Sequence, residues 1–191
     1  GTFKEVDKVD RLIEVYGDSI TCGYGNIDND RTLHFGGFYT NTEDGTQTYW
    51  FKAAQKLNAD CSVIAHSGFA VRYNPYGAES TQTSIPQLSR RKSYYDTSAY
   101  VVEKIPQAVV LNCGTNDYIY CTQGIGGQTP SPQEQANRKE AFVAAYVDFI
   151  NELRGKYPGT HFFVTTSMMI EIENFKPLVE EVIRRAGGSD V

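Results

Sequence analysis

Short apolar runs alternate with segments of helical spacing along most of this chain. Residues 11–16, 61–65, 108–113 and 161–165 are each five or six positions long, rich in β-branched or aromatic side chains, and closed by turn residues. They are predicted to be four buried parallel strands. Between the first two, residues 48–57 place Trp50, Phe51, Ala54 and Leu57 at helical spacing, so that face is expected to pack on the sheet. Ser131, Pro132 and Glu134 supply a cap hydroxyl, a first-position proline and a capping carboxylate for a long helix. Its inner face carries Phe142, Tyr146, Phe149, Ile150 and Leu153, and Gly155 and Pro158 end it. A last helix is expected over residues 178–185. A β-α-β alternation of this kind dictates right-handed crossovers. The fold class is therefore α/β, a three-layer sandwich with a central parallel sheet. Two long polar segments, 23–47 and 69–100, each follow a strand's carboxyl end, the edge at which open α/β sheets bind ligands. Their length suggests function.

Composition narrows the picture. The 191 residues are 40% hydrophobic, which suits one domain with an ordinary core, and no apolar run approaches the roughly 20 residues of a membrane helix. Neither a membrane nor a nucleic acid is an expected partner, since a net charge of −5 offers no basic footprint for phosphates. Cys22, Cys61, Cys113 and Cys121 are too few and too scattered for a disulfide scaffold. Cys61 and Cys113 read as core residues at strand ends, a Cys113–Cys121 bridge stays open, and no metal site is expected.

The candidate chemistry lies in three turns that follow three of the strands: Gly17-Asp18-Ser19, Ser67-Gly68 and Gly114-Thr115-Asn116-Asp117. In a parallel sheet all three meet at one edge. A serine there can attack a carbonyl while glycine N–H groups and an amide side chain hold the developing oxyanion. One such turn means little, because βα loops commonly use Gly, Ser, Asp and Asn to turn and cap. Asp18 and Asp117 are expected to brace these turns.

In this order, the three turns resemble the blocks of the SGNH (GDSL-type) hydrolase superfamily. Residues 13–26 and 110–118 are similar to its second carbohydrate-esterase family, the acetylxylan esterase-like members. The resemblance implies that Ser19 is the nucleophile and that the Ser19 and Gly68 N–H groups and the Asn116 side chain form the oxyanion hole. It implies no cofactor. It also implies an extracytoplasmic or secreted enzyme that removes acetyl groups from xylan or related glycans, the partner being an acetylated oligo- or polysaccharide. A β-sandwich domain often accompanies such a hydrolase.

The family's Asp-x-x-His block, which carries the general base, has no counterpart here: no aspartate stands three residues before His34, His66 or His161. Residues 1–191 are therefore expected to be a single hydrolase domain truncated before its last strand and histidine loop, with the base on a separate C-terminal segment or borrowed from elsewhere. His66 is expected to be a packed or hydrogen-bonded structural residue, His34 a loop residue, and His161 to begin a strand at the edge remote from the three turns. Tyr16, Tyr24, Phe35, Phe38, Tyr39, Phe69, Tyr73, Tyr76, Tyr118 and Tyr120 lie in or beside the loops, either stacking on sugar rings or anchoring those loops. Trp50 is expected in the core. The alternatives to an esterase of this type are a catalytically impaired glycan-binding module of the same fold and a lipid- or aryl-ester hydrolase.

Overall fold

In the computed structural model, described over residues 9–28, 39–73, 84–124 and 128–188, four parallel strands form one sheet of order β2-β1-β3-β4. The strands are β1 (Leu12–Gly17), β2 (Asp60–Ala65), β3 (Ala108–Asn112) and β4 (His161–Val164), each within a residue or so of its predicted span. The helices are α1 (Ser19–Cys22), α2 (Tyr49–Leu57), α3 (Ile85–Leu88), α4 (Thr115–Gln123), α5 (Pro132–Lys156) and α6 (Ile172–Arg185). Register aligns Gly17 of β1 with Ala65 of β2 and Asn112 of β3, so the three strands end level with one another.

Alternation along β1 divides the core into two parts. Tyr16 and its cross-strand neighbour Leu111 join Val109 and the inner faces of α5 and α6, where Phe142, Tyr146, Phe149, Phe175, Val179 and Val182 are fully or almost fully buried. Tyr16 meets Phe149 edge to face, with ring centroids 5.4 Å apart. Each such side chain contributes about 1.5–3 kcal/mol by burial, so this face dominates stability. Ile13 and Val15 point the other way, where Ala54 of α2 is buried.

Four elements differ from expectation. On α2 only Ala54 is buried, while Leu57 is 50% exposed, because the short helix lies along the half-exposed edge strand β2. An open cavity of about 420 Å³ beside it is lined by Trp50, Phe51, Ala54, Asp60 and Cys61 among others, and by none of Ser19, Gly68 and Asn116. Trp50 is only half-buried; its indole N–H donates to the Thr21 carbonyl (2.8 Å), tying α2 to α1. Residues 115–123, expected only to turn the chain after β3, form the full helix α4 despite lacking a periodic apolar stripe. The last helix begins at Ile172, six residues early, its start masked in sequence by polar residues and by Pro177. Ser84 and Gln87 form a reciprocal capping box that starts the short α3 inside the second polar segment.

Candidate active site

Each turn owes its shape to local chemistry. After β1, Asp18 caps α1: its Oδ1 accepts from the Ile20 N–H at 3.0 Å, placing Ser19 at the helix's first position, half-buried. After β2, the Phe69 N–H donates to the His66 carbonyl (3.1 Å), closing a turn in which Gly68 takes φ +81°, a left-handed conformation that favours glycine. After β3, Gly114 caps α4 at φ +105°. A Cβ there would lie 2.7 Å from Phe142 and 2.9 Å from Phe175, so a larger residue would both strain the backbone and displace the core.

The structure brings the β2 and β3 turns into direct contact. Asn116 is buried, and its Nδ2 donates to the Phe69 carbonyl at 2.8 Å, next to Gly68. An amide nitrogen has a second N–H to offer. Asp117 is fully buried and accepts from three consecutive backbone N–H groups, those of Val71 (2.8 Å), Arg72 (2.8 Å) and Tyr73 (2.7 Å). It braces the segment after Gly68, as the sequence suggested. It also lies in the first turn of α4, where a negative charge suits the helix dipole.

Asp18 is equally buried and differently served. Its Oδ2 has no hydrogen-bond partner among the described residues, and the nearby Thr115 hydroxyl is hydrogen-bonded to Ser167 Oγ (2.9 Å). Burial pushes the carboxyls of both Asp18 and Asp117 up to about 6, against the pull of the backbone N–H groups that favour their charged forms. Among the described residues, Ser19 Oγ makes no hydrogen bond.

Among the described residues, no histidine is hydrogen-bonded to Ser19. His66 is hydrogen-bonded through Nδ1–H to the Ser67 carbonyl (2.9 Å) and stacked on Phe69, with centroids 4.0 Å apart, which is the packed structural role expected of it. His161 begins β4 at the opposite edge of the sheet, and His34 lies outside the described residues. All four cysteines are free. Burial pushes Cys22 and Cys61 up to about 11 and Cys121 up to about 12, and it raises Cys113 as well, so none is poised as a thiolate.

The aromatic residues divide. Tyr16 is wholly buried and donates to Glu14, Phe69 is core, and Tyr73 is buried and stacked on Tyr120 at 4.7 Å; these anchor the fold and its loops. Tyr24 and Tyr39 are more than a third exposed, while Phe35, Phe38 and Tyr76 lie outside the described residues. Tyr94 and Tyr95 did not figure among the sequence candidates. Tyr94 lies beside His66 and Phe69, and Tyr95 against Tyr94, a proximity that no local pattern encodes.

A strand-edge serine, a glycine turn and an amide donor define a class, and comparison with known proteins agrees. The sequence model of the GDSL-like lipase/acylhydrolase family matches residues 13–187, and the chain belongs to that family. It is similar to the cellulase/esterase CelE of Acetivibrio thermocellus, with 33% identity over 170 residues, covering 85% of this chain and 18% of that protein. It is also similar to an acetylxylan esterase / glucomannan deacetylase of Cellvibrio japonicus, with 25% identity over 182 residues, 93% of this chain and 48% of the relative. Among solved structures, a family two carbohydrate esterase from Clostridium thermocellum in complex with cellohexaose superimposes with a TM-score of 0.78 at 28% identity, covering 97% of this chain and 52% of that one. The chain thus spans about half or less of the length of these relatives.

Proposed function

We propose that this chain carries the nucleophile and oxyanion hole of a carbohydrate O-acetyl esterase acting on xylan or related glycans outside the cytoplasm. The observation that carries this reading is the junction of the β2 and β3 turns: Asn116 is fixed beside Gly68, level with the turn that presents Ser19. The esterase relatives supply the substrate class.

In this reading Ser19 Oγ attacks the acetyl carbonyl carbon and loses its proton to a base. The carbonyl oxygen gains the negative charge, held by the N–H groups of Ser19 and Gly68 and by the free N–H of Asn116 Nδ2. Collapse expels the sugar hydroxyl, which takes a proton, and leaves acetyl-Ser19. Water then attacks the acyl carbon and releases acetate. No step calls for a cofactor. His66 and His161 are engaged elsewhere in the fold and His34 lies outside the described residues; the Asp-x-x-His block of the family resemblance, without a counterpart in residues 1–191, favours a base on a further segment of the protein.

That neither described histidine is bonded to Ser19 also favours a second reading, a glycan-binding module with the pocket retained and catalysis lost. Hydrolysis of nitrophenyl acetate and of an acetylated xylo-oligosaccharide by the whole protein, with Ser19→Ala as control, decides between them. The esterase reading expects the variant to lose about 10⁴-fold or more in kcat. Oligosaccharide binding without serine-dependent turnover would establish the module instead. Faster turnover of octanoyl than of acetyl esters would point to a lipid-cleaving enzyme.

A further inference from the structure

A continuous run of rings leads away from the Gly68 turn to the surface. Phe69, the residue after Gly68, is buried and stacks on His66. Tyr94 packs over both, with its centroid 4.8 Å from His66 and 5.8 Å from Phe69. Tyr95 meets Tyr94 edge to face at 4.9 Å and 84°. Exposure rises outward along this series, reaching 42% at Tyr94 and 92% at Tyr95.

The turn that presents these two tyrosines is firmly built. Arg91 and Ala99 form an antiparallel bridge, the Lys92 N–H donates to the Ser98 carbonyl (2.9 Å), and the Ser93 N–H donates to the Asp96 carbonyl (3.1 Å). Asp96 closes the tip, its N–H donating to Ser93 Oγ and its Oδ1 accepting from the Ser98 N–H, both at 3.0 Å. Holding a backbone in one conformation costs about 1–2 kcal/mol per residue, and here the ordering leaves the Tyr95 ring almost wholly in solvent. A rigid, flat, solvated ring with a polar edge is the chemistry of a stacking surface. The turn itself is polar: Ser93, Asp96 and Ser98, all exposed, flank the two tyrosines along the chain. That suits one sugar ring, with C–H face and hydroxyl edge, better than a protein surface.

Resting on the esterase reading, we infer that Tyr94 and Tyr95 form a stacking subsite for a neutral pyranose ring of the glycan whose acetylated unit lies at Ser19. The subsite adjoins the oxyanion donors through Phe69, whose carbonyl holds Asn116. It sets the preference for oligosaccharide esters over small ones.

The test is a calorimetric titration of the whole Ser19→Ala protein with xylohexaose and with cellohexaose, with and without Tyr95→Ala, and with Tyr95→Trp as the conservative variant. Loss of the ring is expected to weaken binding about tenfold, and tryptophan to retain it. In the Ser19 protein, Tyr95→Ala is expected to lower the ratio of kcat/KM on acetylated oligosaccharide to kcat/KM on nitrophenyl acetate by about the same factor, chiefly through KM. Equal hexaose affinity with and without the Tyr95 ring overturns the inference, as does failure of the parent to bind either hexaose. If turnover depends on Ser19 while binding ignores residue 95, only the subsite fails. If turnover does not depend on Ser19, the esterase reading fails and the titration still decides the subsite.

Discussion

Two turns at the same sheet edge use the same residue types to opposite ends. The turn after β3 commits its polar side chains to the neighbouring loop: Asn116 holds the Phe69 carbonyl, and Asp117 gathers three successive N–H groups from residues 71–73. The turn after β1 leaves its polar atoms open. Asp18 caps α1 through one oxygen, its other oxygen has no partner among the described residues, and Ser19 Oγ makes no hydrogen bond among them. The turn after β3 is scaffold for the loop after β2, whereas in the turn after β1 Asp18 serves the cap of its own helix. A nucleophile gains from a free hydroxyl, whereas oxyanion donors gain from being immovable, because preorganised dipoles need no rearrangement as charge develops.

On the rigid side of this contrast, Asn116 should have the largest effect. Asn116→Ala deletes the proposed oxyanion donor and the tie to Phe69, and its kcat on an acetyl ester is expected to fall about 10²–10³-fold, equivalent to about 2.7–4 kcal/mol. Unchanged turnover in steady-state assays would take Asn116 out of the mechanism.

Asp117→Asn comes next. An amide cannot accept at both ends, so at least one of the three N–H groups would face an NH₂, and urea denaturation is expected to show a loss of about 2–4 kcal/mol. A neutral result would mean that the segment after Gly68 holds its shape without the carboxylate.

Asp18→Asn should be the mildest, within about 1 kcal/mol of the parent at pH 7, since the amide oxygen keeps the cap on Ile20 and the nitrogen replaces an oxygen that had no partner. Its pH dependence sharpens the point. Burial raises this carboxyl from 3.8 to about 6 in the folded state, so between those values the folded protein binds more protons than the unfolded one. The contribution of Asp18 to stability therefore falls as pH rises through this window. Relative to the parent, Asp18→Asn should gain stability as pH goes from 4 to 7. A difference that stays constant with pH would show that the carboxyl titrates normally.

The order of strands and helices was legible because buried parallel strands read as short apolar runs and α5 carries its own start signals. The edges were less so. α4 follows Gly114 without an apolar stripe, and its residues are positioned by contacts across the sheet rather than by periodicity. The aromatic reading was correct only in part: Tyr16 is buried against Glu14, whereas Tyr94 meets Phe69 from 25 residues away along the chain and carries Tyr95 outward with it. Glu14 shows the same limit. A carboxylate inside an apolar strand looks anomalous until Tyr16 and Tyr100 are seen to donate to it.

The sequence alone determined that Ser19, Gly68 and Asn116 follow three strands of one α/β sheet, because strand length, turn residues and right-handed crossovers are local or topological properties. The tertiary structure decided what those residues can do. Whether a polar side chain is free to react or occupied in holding a loop depends on which backbone groups lie across from it, and those come from parts of the chain that local patterning does not connect.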